Sequence, residues 1–220
     1  MSEPNRQRRL VGWWALVGTL SVLAFGAQAS EPEPVRDALY RYETAIVGFF
    51  FYLLILGLVL LIASGFDRRD AFALRRPTSW ATAAGLSLGL LIVLFAVAAA
   101  LEPVFGAGEE QGLDPPGWEP DRAPAFVLNF ILTAGVAPVI EELVFRGIGF
   151  FLLEQFGQLA AIVVTAIAFA LTHGIVEGLP VFFIIGAGLA FMRSRTKSIY
   201  PPLAMHAAFN GLGVIAGLFN

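Results

Sequence analysis

Residues 44–65 read TAIVGFFFYLLILGLVLLIASG, a run without a single charged side chain. A hydrocarbon core about 30 Å thick is crossed by roughly 20 apolar residues of helix, so this stretch alone is long enough to span a bilayer. It is continuously apolar. A membrane β-strand would instead alternate apolar and polar positions over about 10 residues, so the run predicts a helix rather than a barrel strand. Similar runs lie on both sides of it: Leu10 to Ala29, Ser79 to Leu101, Ala125 to Leu153, Gln158 to His173, Leu179 to Met192 and Pro201 to Phe219. Leu179 to Met192 is short for a span. Together they predict an all-α, polytopic transmembrane helix bundle of about seven spans.

Composition points the same way. Of 220 residues, 57% are apolar and only 14% charged, against about 25% charged in soluble domains, which excludes a soluble or disordered chain. A net charge of −3 without a basic stripe excludes nucleic acid as a partner and leaves membrane lipids. Cysteine is absent, so disulfides, thiol nucleophiles and thiolate metal sites are excluded.

The basic residues set an expected orientation. Arg6, Arg8, Arg9, Arg68, Arg69, Arg75, Arg76, Arg193, Arg195 and Lys197 fall in segments of one parity, and only Arg36, Arg41 and Arg122 in segments of the other. The positive-inside rule then places the N-terminus in the cytoplasm of a multi-pass protein of the cell membrane. The segment Glu102 to Pro124, with Glu109, Glu110, Asp114, Glu119 and Asp121, reads as an acidic, irregular external loop. Arg6, Arg8 and Arg9, an apolar stretch and Ala27-Gln28-Ala29 before Ser30 also fit a secretory signal peptide. If that segment is cleaved, six spans remain.

Ionisable groups inside spans are costly and default to function. In the fourth run, Glu142 and Arg146 are four apart and share a helix face, so they can pair. Glu141 lies about 100° away around the helix and is the freer carboxylate, able to face a cavity. A structural ion-pair cluster at the helix end is the alternative. His173 closes the fifth run four residues after Phe169, with which it shares a face. The midpoint of Glu141 and His173 is Gly157, in the stretch where the chain is expected to turn, so a hairpin there brings both groups to similar depth. His206 and Asn210, four apart in the last run, share a face and could instead serve only to glue helices together. The chain has two histidines, and both fall in these C-terminal helices. A carboxylate and an imidazole in a partly dry cavity are what activation of water requires, and a donor pair could stabilise an oxyanion. No serine, cysteine or aspartate is placed as an obvious nucleophile.

Glu141-Glu142-x-x-x-Arg146, Phe169-x-x-x-His173 and His206-x-x-x-Asn210, in this order on consecutive helices, resemble the three motifs of the CPBP (Abi) family of intramembrane proteases, which includes the type II CAAX prenyl endopeptidases. The resemblance divides the chain into N-terminal transmembrane helices with the acidic loop (1–124) and a CPBP-like catalytic helical core (125–220). It implies an intramembrane endopeptidase acting on a membrane-associated peptide or protein, in keeping with a bacterial inner membrane. Glu141 would activate water with help from His173, and His206 and Asn210 would bind the oxyanion. Glu142 and Arg146 would be structural or substrate-orienting, and Phe169 would pack the His173 ring. A glutamate-dependent mechanism without a cofactor is favoured. Zinc held by Glu141, His173 and His206 is the alternative, although no H-E-x-x-H helix is present. A non-enzymatic reading also stands, as a transporter or a peptide-binding immunity scaffold, because buried carboxylates and histidines also build proton relays. The lack of an inverted repeat counts against a transporter.

Overall fold

The uncharged run at 44–65 forms most of helix α2 (Tyr42–Ile62) in the computed structural model, which describes residues 3–30, 37–105 and 117–219. Helix α1 (Glu3–Ser30) precedes it, and α3 (Arg68–Ala71) and α4 (Trp80–Phe105) follow. The Asp67 carboxylate caps α3 by accepting the Asp70 amide at 3.1 Å, satisfying one of the orphan donors of a helix start. No strand occurs among the described residues. Residues 106–116 of the expected acidic loop, including Glu109, Glu110 and Asp114, lie outside them.

The fourth apolar run departs from the single helix expected over Ala125 to Leu153. It comprises α5 (Ala123–Ile131), a π-helical segment (Leu132–Val136), α6 (Ala137–Glu142), a second π-helical segment (Leu143–Gly149) and α7 (Phe150–Leu153). Proline explains the first break. Pro138 has no N–H to give to the preceding turn and its ring crowds that turn, so the helix widens ahead of it. The second break centres on Gly147, whose backbone leaves the helical region at φ −81°, ψ −106°. A Cβ there would stand 2.7 Å from the Phe72 ring.

Carbonyls around the second break are met by side chains from two other helices. Trp13 of α1 donates its indole N–H to Val144 O at 2.9 Å, and Arg193 donates Nε–H to Arg146 O at 3.1 Å. The chain then turns at Gly157, in the left-handed region at φ +103°, and enters α8 (Gln158–Leu171). Helices α9 (Leu179–Thr196) and α10 (Tyr200–Gly217) complete the bundle, α9 running past the end expected at Met192.

All seven apolar runs are thus helical. Among the described residues, five helical stretches are long and apolar enough to cross a membrane: Asn5–Ser30, Tyr42–Ile62, Trp80–Val97, Pro120–Phe156 and Leu179–Thr196. Helix α8, with 14 residues, is shorter, about 21 Å at 1.5 Å per residue. Ile46, Val47, Phe50, Leu53 and Leu54 on α2, and Leu88, Ile92 and Val93 on α4, point outward. Exposed apolar residues in such numbers are the lipid-facing surface of a multi-pass membrane protein. Trp13, Phe72, Ile148, Phe150, Phe169 and Leu189 fill the interior.

At the end of the bundle expected to be external, the α1–α2 connector is fastened to the start of α5. Arg122 pairs with Asp37 at 3.0 Å and with Glu119 at 3.1 Å, and the Asn129 amide donates to Leu39 O and Arg41 O. Hydrogen bonds from Arg41 and Arg122 hold the Asp37 carboxyl below the usual carboxylate range.

Candidate active site

The adjacent carboxylates at the end of α6 divide their work. Glu142 accepts from Arg146 at 2.9 Å through Oε1, and neither side chain is exposed. The same oxygen lies 3.0 Å from His206 Nδ1 of α10. A carboxylate oxygen only accepts here, so the proton of this contact sits on Nδ1. Arg146 also donates through Nη2 to Gly186 O at 3.1 Å, and its guanidinium covers the Phe169 ring at 4.6 Å. The expected pairing of Glu142 with Arg146 is therefore present, with His206 as a third member.

Glu141 retains some exposure, 18% of its side chain, and faces the other edge of the same imidazole: its Oε2 lies 3.7 Å from His206 Nε2. Its second oxygen is engaged. The Tyr52 hydroxyl of α2 donates to Glu141 Oε1 at 2.6 Å. Tyr52 is absent from the set of residues picked out by sequence. A signal existed, because Tyr52 is the one polar side chain between Ala45 and Ala63.

His173 lies just beyond the end of α8, where Gly174 takes a left-handed conformation at φ +74° that glycine adopts without strain. A Cβ at Gly174 would also stand 2.5 Å from the backbone of Ala24 in α1. The His173 Nδ1 contacts Phe169 O at 2.8 Å, and a carbonyl can only accept, so Nδ1 carries the proton and Nε2 presents a lone pair. The imidazole stacks on Phe182 with centroids 4.0 Å apart and leans on Phe169 at 4.6 Å. Phe169 also meets the His206 ring edge-on at 5.6 Å, so one phenyl ring buttresses both histidines. Asn210, one turn after His206, donates its amide to Thr133 O in the first π segment at 3.1 Å.

Glu141, Glu142, Arg146, Phe169, His173 and His206 thus converge, and Asn210 borders them. Among the described residues, no three His, Asp or Glu side chains are grouped so that they could hold a metal ion. His206 and His173 each give Nδ1–H to a protein acceptor, which fixes the ring orientation and leaves Nε2 as the ring atom turned to other partners.

The fold and this cluster define a class: a multi-pass helical membrane protein with carboxylates and imidazoles gathered inside the bundle. Residues 123–212 match the family model described as "Type II CAAX prenyl endopeptidase Rce1-like". The matched segment contains all three motifs, so this part of the chain is similar to the family they resemble. A curated relative from Bacillus subtilis (strain 168), named "Putative membrane peptidase YdiL", is 31% identical over 134 residues, 59% of this chain and 54% of that protein. The chain therefore spans about half the length of the curated relative it matches. No solved structure matches.

Proposed function

We propose that the protein is an intramembrane endopeptidase, similar to the type II CAAX endopeptidases, that hydrolyses a peptide bond with water activated at Glu141. The observation that carries this reading is the convergence of Glu141, His206 and the Phe169-buttressed His173 inside a bundle whose C-terminal part is Rce1-like. Water held between Glu141 Oε2 and the His173 Nε2 lone pair gives up a proton to the carboxylate, and the resulting hydroxide adds to the scissile carbonyl carbon. The carbonyl π electrons move onto oxygen. His206, protonated also at Nε2, and the second N–H of Asn210 donate to that oxyanion. Glu141 then returns its proton to the leaving amine as the C–N bond breaks. Glu142 and Arg146 orient His206 and take no proton.

The test uses purified full-length protein in lipid nanodiscs. Its probes are a quenched-fluorescent peptide ending in farnesylcysteine plus three residues, and a set of single-span membrane-anchored peptides. Glu141→Gln is expected to lower kcat by roughly 10²- to 10⁴-fold, the usual contribution of a positioned general base. We also propose that no metal takes part, so activity is expected to survive dialysis against a tight chelator. Loss on chelation with recovery on added zinc overturns the metal-free mechanism. Intact cleavage in Glu141→Gln overturns the proteolytic role of this residue, and proton-coupled uptake abolished by the same change would favour a carrier.

A further inference from the structure

We propose that Tyr52, on α2 and outside the Rce1-like segment, is a positioning residue that anchors one oxygen of Glu141 so that the other is held toward the reacting water; this rests on the assignment of Glu141 as base. A glutamate side chain has three rotatable torsions, and a base that wanders by 1 Å loses much of its advantage. Glu141 Oε1 is tied to the Tyr52 hydroxyl at 2.6 Å, which leaves Oε2 directed at the His206 edge at 3.7 Å. The phenol can only donate to this carboxylate, so the two oxygens are made unequal: one is spent on the anchor and one is free to take a proton.

The anchor is itself held. The Tyr52 ring packs against the main apolar core and meets Phe51 edge-on at 5.7 Å. Its helix joins the bundle beside the first π segment and α6, so the hydroxyl is delivered by a rigid element rather than a loop. The consequence is that the site is built from both parts of the chain. The three motifs supply the carboxylates, imidazoles and amide, while α2 supplies the group that fixes the base.

Tyr52→Phe removes only the hydroxyl. With the same nanodisc assay and peptide probes, kcat is expected to fall roughly 10- to 100-fold, the scale of one hydrogen bond to a charged group, with KM changed by less than about twofold. The coupling to Glu141 is read in a cycle with Glu141→Asp, whose shorter side chain does not reach the phenol. In that background Tyr52→Phe is expected to cost less than about threefold. Phe51→Leu, which alters the neighbouring ring alone, serves as the packing control and is expected to keep wild-type kcat.

Wild-type kcat in Tyr52→Phe overturns the inference while leaving Glu141 as base untouched. A loss that appears in KM, that is equal in both backgrounds, or that Phe51→Leu reproduces also overturns it, because each marks a packing role. If Tyr52→Phe fails to fold, Tyr52→Leu, which also lacks the hydroxyl, takes its place in the same cycle with the same expected losses; a folded Tyr52→Leu with wild-type kcat overturns the anchor. Full activity of Glu141→Gln is a separate result. It removes the base, and the anchor falls with it.

Discussion

At the Glu142 carboxylate, one oxygen serves both the Arg146 guanidinium and the His206 imidazole, and all three side chains are buried. Charges so far from water persist only when paired and hydrogen-bonded, and removing one partner strands the other. Arg146→Ala is therefore expected to lower stability by about 3–5 kcal/mol, measured as thermal unfolding of the protein in detergent. Arg146→Lys is expected to recover little, because Arg146 uses two nitrogens on two separate acceptors, Glu142 Oε1 and Gly186 O. A double change, Glu142→Gln with Arg146→Met, is expected to be less harmful than Arg146→Ala, since it leaves no stranded charge. The pairing of Glu142 with Arg146 was legible in the sequence because it is local, one helical turn. The contacts of Glu142 with His206 and of Glu141 with Tyr52 join residues 64 and 89 positions apart, and no periodicity reports them.

Among the elements, the apolar runs were legible because lipid leaves a spanning backbone few choices other than helix. The two π segments were not. Pro138 marks the first, but the second depends on how close α1 and Phe72 approach Gly147 and Gly149, a tertiary fact. Trp13 packs against Gly149 and donates to Val144 O two residues beyond Glu142, so α1 braces the turn that follows the carboxylates. A Cβ at Gly149 would stand 2.7 Å from Trp13 Cε2 and Cζ2, and that indole is fully buried with no room to retreat. Gly149→Ala is thus expected to destabilise by about 1–3 kcal/mol, the usual cost of overpacking. Gly57→Ala in α2 provides the contrast: its Cβ would meet nothing within 4 Å, and the helix gains about 1 kcal/mol in propensity. Melting curves of the two variants in the same detergent check both signs.

For the whole molecule, the placement of charge fixes an expected direction across the membrane. Arg69 lies in α3 on the side rich in basic residues, and Asp121 lies beside the Arg122 cluster on the other. Among the described residues, α4 is the one long helix between them, so if α4 spans, these two exposed positions must face opposite compartments. The chain has no cysteine, so a single introduced thiol reports one position without background. In spheroplasts of an expressing bacterium, Asp121→Cys is expected to react with a membrane-impermeant maleimide, and Arg69→Cys only after the membrane is permeabilised. The reverse pattern would invert the orientation while leaving α4 as a span. Labelling of both positions in intact spheroplasts, or of neither, would remove α4 from the spans altogether. The distinction matters for the site because Glu141 and its Tyr52 anchor are carried on helices whose ends this pair of thiols assigns to a compartment. The orientation thereby decides from which side water and a peptide reach the carboxylate.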